Sequence, residues 1–229
     1  MKYMIHTYPK RLWYVNKYLV PSMIKQGINQ EDIFIFNDSN NRGNLQAFLD
    51  SLDWIWNTYG YAEIGFWHLQ DDVIISKDFK ERTQDNTIAD NNVVNGFVSS
   101  NYNSRKLNLT GWQEVKNSWL SFPCVYIPNK YIGSFMNWLE KAKTKDNTLE
   151  YKRRYESNRH DDFFFYEFLR KRCKDDMVLN LKPNLVDHID FLIGGSINKP
   201  RKEQVRGYYF EDLDLVEKLE RNIKNEILS

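Results

Sequence analysis

Two pairs of adjacent aspartates and one histidine are the residues of this chain whose placement could support chemistry. Asp71 and Asp72 end an apolar, strand-like run, Asp161 and Asp162 precede an apolar helical run, and His188 lies inside a third apolar segment. Adjacent carboxylates at the exit of a buried strand repel each other and lose hydration unless a positive charge compensates them. Mg²⁺ or Mn²⁺ can provide that charge, because both bind carboxylate oxygens and fill their other positions with water and substrate phosphate.

Each of these groups also has a purely structural explanation. Asp71 and Asp72 fit a charged turn or the cap of a short helix within residues 76–82. Asp161 and Asp162 fit an ordinary N-cap followed by an acidic first turn. A single histidine in an apolar run, such as His188, is more often a hydrogen-bonded core residue than a ligand. The residue patterns alone therefore leave both explanations open.

The elements predicted around these residues favour an α/β fold. Strand-like runs alternate with amphipathic helices from Lys2 to about residue 100, with Pro21 expected to end or kink the first helix. This alternation predicts a mostly parallel sheet with helices on both faces and ligands at the carboxyl ends of its strands. Thr7, Asp38 and the pair Asp71–Asp72 end three of the predicted strands, so we expect them along one edge of the sheet.

The rest of the chain predicts a less regular α+β arrangement that ends in a helix. A strand is expected at residues 121–128, helices after Lys130 and Asp162, and an amphipathic helix near the C-terminus. We interpret residues 1–229 as a single domain. Within it, residues 1–100 form one half, residues 101–206 the other, and residues 207–229 the C-terminal helix.

Composition limits the classes of function. With 41% hydrophobic residues, the 229-residue chain can form a full core, and its net charge of +1 gives no general attraction to nucleic acid or anionic membranes. The first residues match neither a signal peptide nor a transit peptide, and no stretch approaches the roughly 18 apolar residues of a membrane helix. Cys124 and Cys173 form no paired ligand motif. We therefore expect a reduced, cytoplasmic protein.

The order of these motifs resembles that of the GT-A glycosyltransferases, in particular small members found in bacteria and phages. A Thr-containing loop after the first strand, Asp38 ending the second, and Gln70, Asp71 and Asp72 ending a later one resemble that family's donor site. The acidic pair resembles its DxD motif, with Gln70 departing from the fully acidic form. The likeness runs from Thr7 to about Arg206 as short motifs in the family's order.

The resemblance implies one Rossmann-like GT-A domain that transfers a hexose, most simply from a UDP-sugar, to an acceptor hydroxyl. The acceptor would be a saccharide or a hydroxylated DNA base. By resemblance, Asp72 coordinates the metal that bridges the donor diphosphate, and His188 is the second protein ligand. An imidazole ligand favours Mn²⁺ over Mg²⁺. Asp71 would approach the ribose.

The same resemblance assigns the remaining donor contacts. Thr7, Tyr8 and Asp38 would hold the nucleotide base, Gln70 would line the donor site, and Arg11 would contact phosphate or base. A basic cluster after two glycines would close over the leaving diphosphate; its members are Ser196, Lys199, Arg201, Lys202 and Arg206. A solvated basic loop explains that cluster equally simply, and arginines are common at helix starts.

On the acceptor side, the resemblance makes Asp162 the general base of an inverting displacement. Asp161 would cap the helix or hold the acceptor, and the helix N-terminus would favour the ionised form of Asp162. Trp112 and Trp119 could stack on an acceptor ring, although core positions are an equal alternative.

Two other functions remain open at this level. His160-Asp161-Asp162 with Asp187-His188 superficially resembles the metal site of HD-domain phosphohydrolases, but that fold is all helical and the strand signals oppose it. A non-catalytic protein that binds sugar or nucleic acid is the other. A DNA acceptor would require the basic segments at residues 152–160 and 170–174 on the face of the site.

Overall fold

A computed structural model of the chain describes residues 1–59, 65–85, 92–98, 111–114, 122–145, 156, 161–193 and 210–227. Several predicted site residues lie outside these ranges: Trp119, Ser196, Lys199, Arg201, Lys202 and Arg206. Most of the basic segment at residues 152–160 lies outside them as well.

The described elements alternate between strands and helices through the first half, as the hydrophobic periodicity predicts. The strands are β1 (Lys2–Thr7), β2 (Ile33–Asn37), β3 (Phe66–Gln70), β4 (Val73–Ile75), β5 (Val93–Asn95), β6 (Gly111–Glu114), β7 (Cys124–Ile127), β8 (Met177–Asn180) and β9 (Val186–His188). The helices are α1 (Leu12–Tyr14), α2 (Val20–Lys25), α3 (Asn44–Tyr59), α4 (Phe79–Thr83), α5 (Lys130–Lys145), α6 (Asp161–Arg172) and α7 (Leu213–Ile227). A π-helical turn at Val15–Leu19 joins α1 to α2, and a 3₁₀ turn at Gln30–Asp32 precedes β2.

The first helix does not end at Pro21. Helical backbone continues from α1 through the π turn into α2, and Pro21 lies in the first turn of α2. Within a continuous helix the missing N–H of proline removes one backbone hydrogen bond, and the π turn at Val15–Leu19 directly precedes this position. The helix ends instead at Lys25, and Gly27, two residues later, has the left-handed conformation, with φ of 85°, that follows many helices.

The central sheet is mixed, although a mostly parallel sheet is predicted from the alternation of elements. Its seven strands follow the order β2-β1-β3-β7-β5-β8-β6. Three neighbouring pairs are parallel, namely β1 with β2, β1 with β3 and β5 with β8. The pairs β3 with β7, β5 with β7 and β6 with β8 are antiparallel. A second, two-stranded sheet pairs β4 with β9 in antiparallel fashion.

Helices cover both faces of the central sheet, which gives the α/β architecture expected from the sequence. One hydrophobic cluster joins Tyr3 of β1 and Trp67 of β3 to the helix that contains the π turn, to α4, to β9 and to α7. The other joins Met4 of β1 to α3, α5 and α6. Because neighbouring strand residues point to opposite faces of the sheet, Tyr3 and Met4 belong to different hydrophobic clusters. Cys124 and Cys173 form no disulfide.

Candidate active site at the carboxyl ends of β1 and β3

The carboxyl ends of β1, β2 and β3, which carry polar residues, lie next to one another in the sheet. β1 lies between β2 and β3 and is parallel to both, with His6 opposite Gln70 and Thr7 opposite Asn37. The backbone N–H of Asp38 donates to the carbonyl of Thr7 at 2.8 Å. The strand order reverses at β1, and such a switch point opens a crevice in which α/β proteins bind ligands. The expected gathering of these strand ends is therefore confirmed.

Arg11 supplies the positive charge that the adjacent aspartates require. Its Nη1 lies 2.9 Å from Asp71 Oδ1 and 2.5 Å from Asp72 Oδ2. All three side chains are buried. A contact of Arg11 with phosphate or base was predicted by resemblance, but its contact with the acidic pair has no local signal in the sequence, because the partners lie in different segments. Repulsion between the aspartates is thus relieved within the protein itself.

His188 is brought to Asp72 by the two-stranded sheet. β4 begins directly after Asp72, and Val73 pairs with His188 of β9. The N–H of Ile189 donates to the carbonyl of Asp72 at 2.8 Å, so the ladder continues past the strand ends. Across this pairing, His188 Nε2 lies 3.2 Å from Asp72 Oδ2. The predicted proximity of Asp72 and His188 is therefore found in the structure.

Asp190 completes a chain of ionisable groups that sequence reasoning missed. Its Oδ1 lies 3.3 Å from His188 Nδ1, on the side of the imidazole away from Asp72. The side chain of Asp190 is 4% exposed. The ring of Phe97 packs against the imidazole with 6.2 Å between the ring centroids. The spacing His188-x-Asp190 is the only sequence signal for this contact, and by itself it is too short to be specific.

Burial and charge shift the pKa values of this cluster in opposite directions. Burial, followed by the charge of Asp72, raises the pKa of Asp71 to about 6, although Arg11 opposes this change. Burial alone would raise the pKa of Asp72, but His188 and Arg11 outweigh it and lower that pKa below its usual range. Burial alone would lower the pKa of His188, but Asp72 and Asp190 outweigh it and raise that pKa to about 10. With its pKa raised in this way, His188 would have to release the proton on Nε2 in order to bind a cation.

The Asp72–His188 pair fits two neighbouring ligands of an octahedral divalent cation. With metal–ligand bonds of about 2.1 Å, adjacent ligand atoms are separated by about 3.0 Å, and the observed separation of Asp72 Oδ2 and His188 Nε2 is 3.2 Å. Asp72 Oδ1 is buried and has no hydrogen-bond partner among the described residues. Those residues include no group of three or more His, Cys, Asp or Glu side chains placed to hold a metal. Mg²⁺ sites in proteins commonly contain only one or two carboxylates, with water and substrate oxygens as the other ligands.

Asp38 organises its own loop. Its Oδ2 accepts a hydrogen bond from the N–H of Gly43 at 2.7 Å, and its Oδ1 lies 3.5 Å from Arg42 Nε. Tyr8, predicted beside it on the donor side, has the Arg11 guanidinium carbon 5.3 Å from its ring centroid. The nucleotide-base contacts predicted for these residues would thus be made by a loop that Asp38 holds in shape.

Asp161 and Asp162 form a separate acidic pair in the first turn of α6. This helix contributes to the hydrophobic cluster on the α3 and α5 face, whereas Arg11 and His188 belong to segments on the other face. Burial, followed by the charge of Asp162, raises the pKa of Asp161 to about 8. Asp162 is more exposed, and its Oδ1 accepts from the N–H of Phe163 at 2.7 Å. Both acids lie in the first turn of the helix as its bounds are given.

Trp112 is neither a core residue nor a neighbour of the strand switch point. It is 46% exposed on β6, the edge strand of the sheet. β6 lies four strands from β3 in the sheet order, which is roughly 19 Å at the usual spacing between strands. A stacking contact next to Asp72 is therefore not supported for Trp112.

Comparison with known proteins adds no assignment. No protein-family model matches this chain, and no curated protein matches it in sequence.

Proposed function

We propose that this chain is a GT-A-type glycosyltransferase that transfers a hexose from a nucleotide donor, a UDP-sugar in the first instance, to an acceptor hydroxyl. The observation that carries the proposal is the contact of Asp72 with His188 beside the strand switch at β1. Nucleotides bind at such switch points in α/β sheets, and a carboxylate with an imidazole is suited to Mn²⁺. The order of elements leading to Asp72 and His188 agrees with the order of the family's motifs.

The donor side depends on the chain's own charges. Asp72 and His188 would hold Mn²⁺ or Mg²⁺, which when bound supplies Lewis-acid stabilisation of the leaving diphosphate. Arg11 contacts both aspartates, which holds them in place and limits their mutual repulsion. Asp71, next to Asp72, would accept a hydrogen bond from a ribose hydroxyl. The loop organised by Asp38, together with Thr7 and Tyr8, would contact the base, and Gln70 would line the site.

The acceptor side would use the acidic pair at the start of α6. Asp162 would take the proton of the acceptor hydroxyl as that oxygen bonds to the anomeric carbon and the bond to the donor diphosphate breaks. A single displacement of this kind inverts the anomeric centre. Because Asp161 retains its proton at neutral pH, it can donate a hydrogen bond to the acceptor. The acceptor would be a saccharide or a hydroxylated DNA base.

The alternatives have weaker support. The helical HD-type phosphohydrolases contain no counterpart of a seven-stranded sheet. A non-catalytic binding protein requires no buried cluster of Arg11, Asp71, Asp72 and His188, and burying such charges is costly. None of the described helices is long and apolar enough to cross a membrane. The proposal places the enzyme in the cytoplasm, which agrees with its two free cysteines.

Calorimetric titration with nucleoside diphosphates tests the donor class. UDP, GDP and ADP are titrated into the protein with Mn²⁺ and then with EDTA in its place. We expect one diphosphate, UDP in the first instance, to bind with Mn²⁺ but not with EDTA. In His188→Ala, its binding should be the same with Mn²⁺ as with EDTA. Equal binding of all three diphosphates without the cation would contradict the proposed site.

A further inference from the structure

Asp190 is held against His188 by the chain that follows β9. The N–H of Leu192 donates to the carbonyl of Ile189 at 2.9 Å, and the N–H of Ile193 donates to the carbonyl of Asp190 at 3.3 Å. Ile189 and Ile193 are both buried in the core. The turn that carries Asp190 is thus fixed at both ends, and its carboxylate has little freedom to leave the imidazole.

The two nitrogens of His188 face two different carboxylates. Nδ1 lies 3.3 Å from Asp190 and Nε2 lies 3.2 Å from Asp72. The Nδ1 contact is at ion-pair distance and lacks the geometry of a hydrogen bond in this structure. A neutral imidazole has one proton, and the hydrogen bond made by one nitrogen decides which nitrogen keeps its lone pair. A proton on Nδ1, facing Asp190, leaves the lone pair of Nε2 directed toward Asp72. The opposite tautomer would place an N–H there and exclude a cation.

We propose that Asp190 is a positioning residue, which holds His188 in the Nδ1–H tautomer so that Nε2 can bind the divalent cation together with Asp72. Carboxylates that accept from the far nitrogen of a metal-bound histidine fix its ring and increase its basicity. Phe97 packs beside the same ring, with 6.2 Å between the two ring centroids, and limits its rotation. This proposal rests on the metal ion of the proposed function, but not on sugar transfer.

Manganese binding in the presence of UDP tests this role without any turnover. Free Mn²⁺ is measured by electron paramagnetic resonance as protein is added, with UDP held constant. We expect Asp190→Asn to weaken Mn²⁺ binding by about 10- to 100-fold, the usual cost of losing such a partner. Asp190→Glu, which keeps a carboxylate, should recover part of the loss. Asp176→Asn, at a carboxylate that is hydrogen-bonded by Tyr131 instead, is the matched control and should bind as the parent does.

A double-variant comparison separates positioning from a general loss of structure. In the His188→Ala background, Asp190→Asn should cause no further loss of Mn²⁺ affinity, because its effect acts through the imidazole. An additional loss of tenfold or more in that background would overturn the proposal. Unchanged Mn²⁺ affinity in Asp190→Asn would overturn it as well.

The tautomer itself can be observed by ¹⁵N NMR, since the chain has only four histidines. With diamagnetic Mg²⁺ and UDP bound, His188 should show the Nδ1–H pattern in the parent and lose it in Asp190→Asn. An Nε2–H pattern in the parent would contradict the proposal. If the parent binds neither cation, the metal site and this proposal both fail, whereas loss of sugar transfer alone, with Mn²⁺ binding intact, would refute only the proposed reaction.

Discussion

Arg11 Nη1 contacts Asp71 Oδ1 at 2.9 Å and Asp72 Oδ2 at 2.5 Å, so one buried guanidinium compensates both members of the acidic pair. The helix that begins after Arg11 and the segment that follows β3 meet because β1 and β3 are parallel neighbours. This contact lets two adjacent carboxylates remain buried while one of them faces His188. If the site binds a cation as proposed, its stability and its affinity for that cation would be linked.

We predict that Arg11→Met destabilises the folded chain. Removing one partner of a buried ion pair leaves uncompensated charge and typically costs about 3–5 kcal/mol. Urea unfolding of the parent and the variant measures the difference. The double variant Arg11→Met/Asp71→Asn should recover much of the loss, because one of the two repelling charges is then absent. Equal stability of the single variant and the parent would show that the contact contributes nothing.

Asp161→Asn should stabilise the protein at neutral and mildly alkaline pH. The pKa of Asp161 is raised from 3.8 to about 8, so the folded state retains a proton that the unfolded state releases above about pH 4. Stability should therefore fall as pH rises from about 4 to 8 in the parent. Asp161→Asn lacks this pH-dependent loss of stability. The difference in unfolding free energy between the variant and the parent should therefore grow from about pH 4 to pH 8. Unfolding free energies measured at several pH values test this, and parallel curves would contradict it.

Acid should destabilise the protein through His6 and His68. Burial lowers the pKa of His6 to about 3, and burial with the charge of His6 lowers that of His68 well below 6.5. The unfolded chain takes up these protons near pH 6.5, whereas the folded chain does not. Stability contributed by the neutral rings is thus present above about pH 6.5 and is lost as pH falls toward 3.

His68→Phe tests this dependence. The ring of His68 lies among Phe48, Phe122 and His6, so phenylalanine suits its surroundings. We expect the variant to lose less stability than the parent between pH 7 and pH 5, as measured by urea unfolding. A pH dependence that is unchanged in His68→Phe would contradict this account.

Most elements of the fold could be predicted from the sequence because hydrophobic periodicity is local. β1, α3 and α7 follow the alternating or helical patterns of their own residues. Whether the first helix ends or continues at Pro21 could not be decided from the sequence, since its continuation passes through the π turn at Val15–Leu19. The direction of β7 was missed as well, because strand direction is decided by long connections and not by the residues of the strand.

The candidate site, like the fold, could be predicted from the sequence only in part. Asp72 and His188 could be selected as a pair, because the resemblance supplied both residue types in the right order. Arg11 as partner of the acidic pair and Asp190 as partner of His188 were not predicted. Both contacts depend on pairings between distant segments, β1 with β3 in the first case and β4 with β9 in the second. Their residue types are too common to stand out in the sequence.

Release of the nucleoside diphosphate from a panel of nucleotide sugars, with candidate acceptors and with or without Mn²⁺, tests the central claim most directly. The account predicts Mn²⁺-dependent release by the parent protein. It also predicts a loss of 100-fold or more in Asp72→Asn and a similar loss in Asp162→Asn with Mn²⁺ binding retained, the order of magnitude expected when a general base is removed. Release at the parental rate by Asp72→Asn, or no release by the parent from any donor, would contradict it.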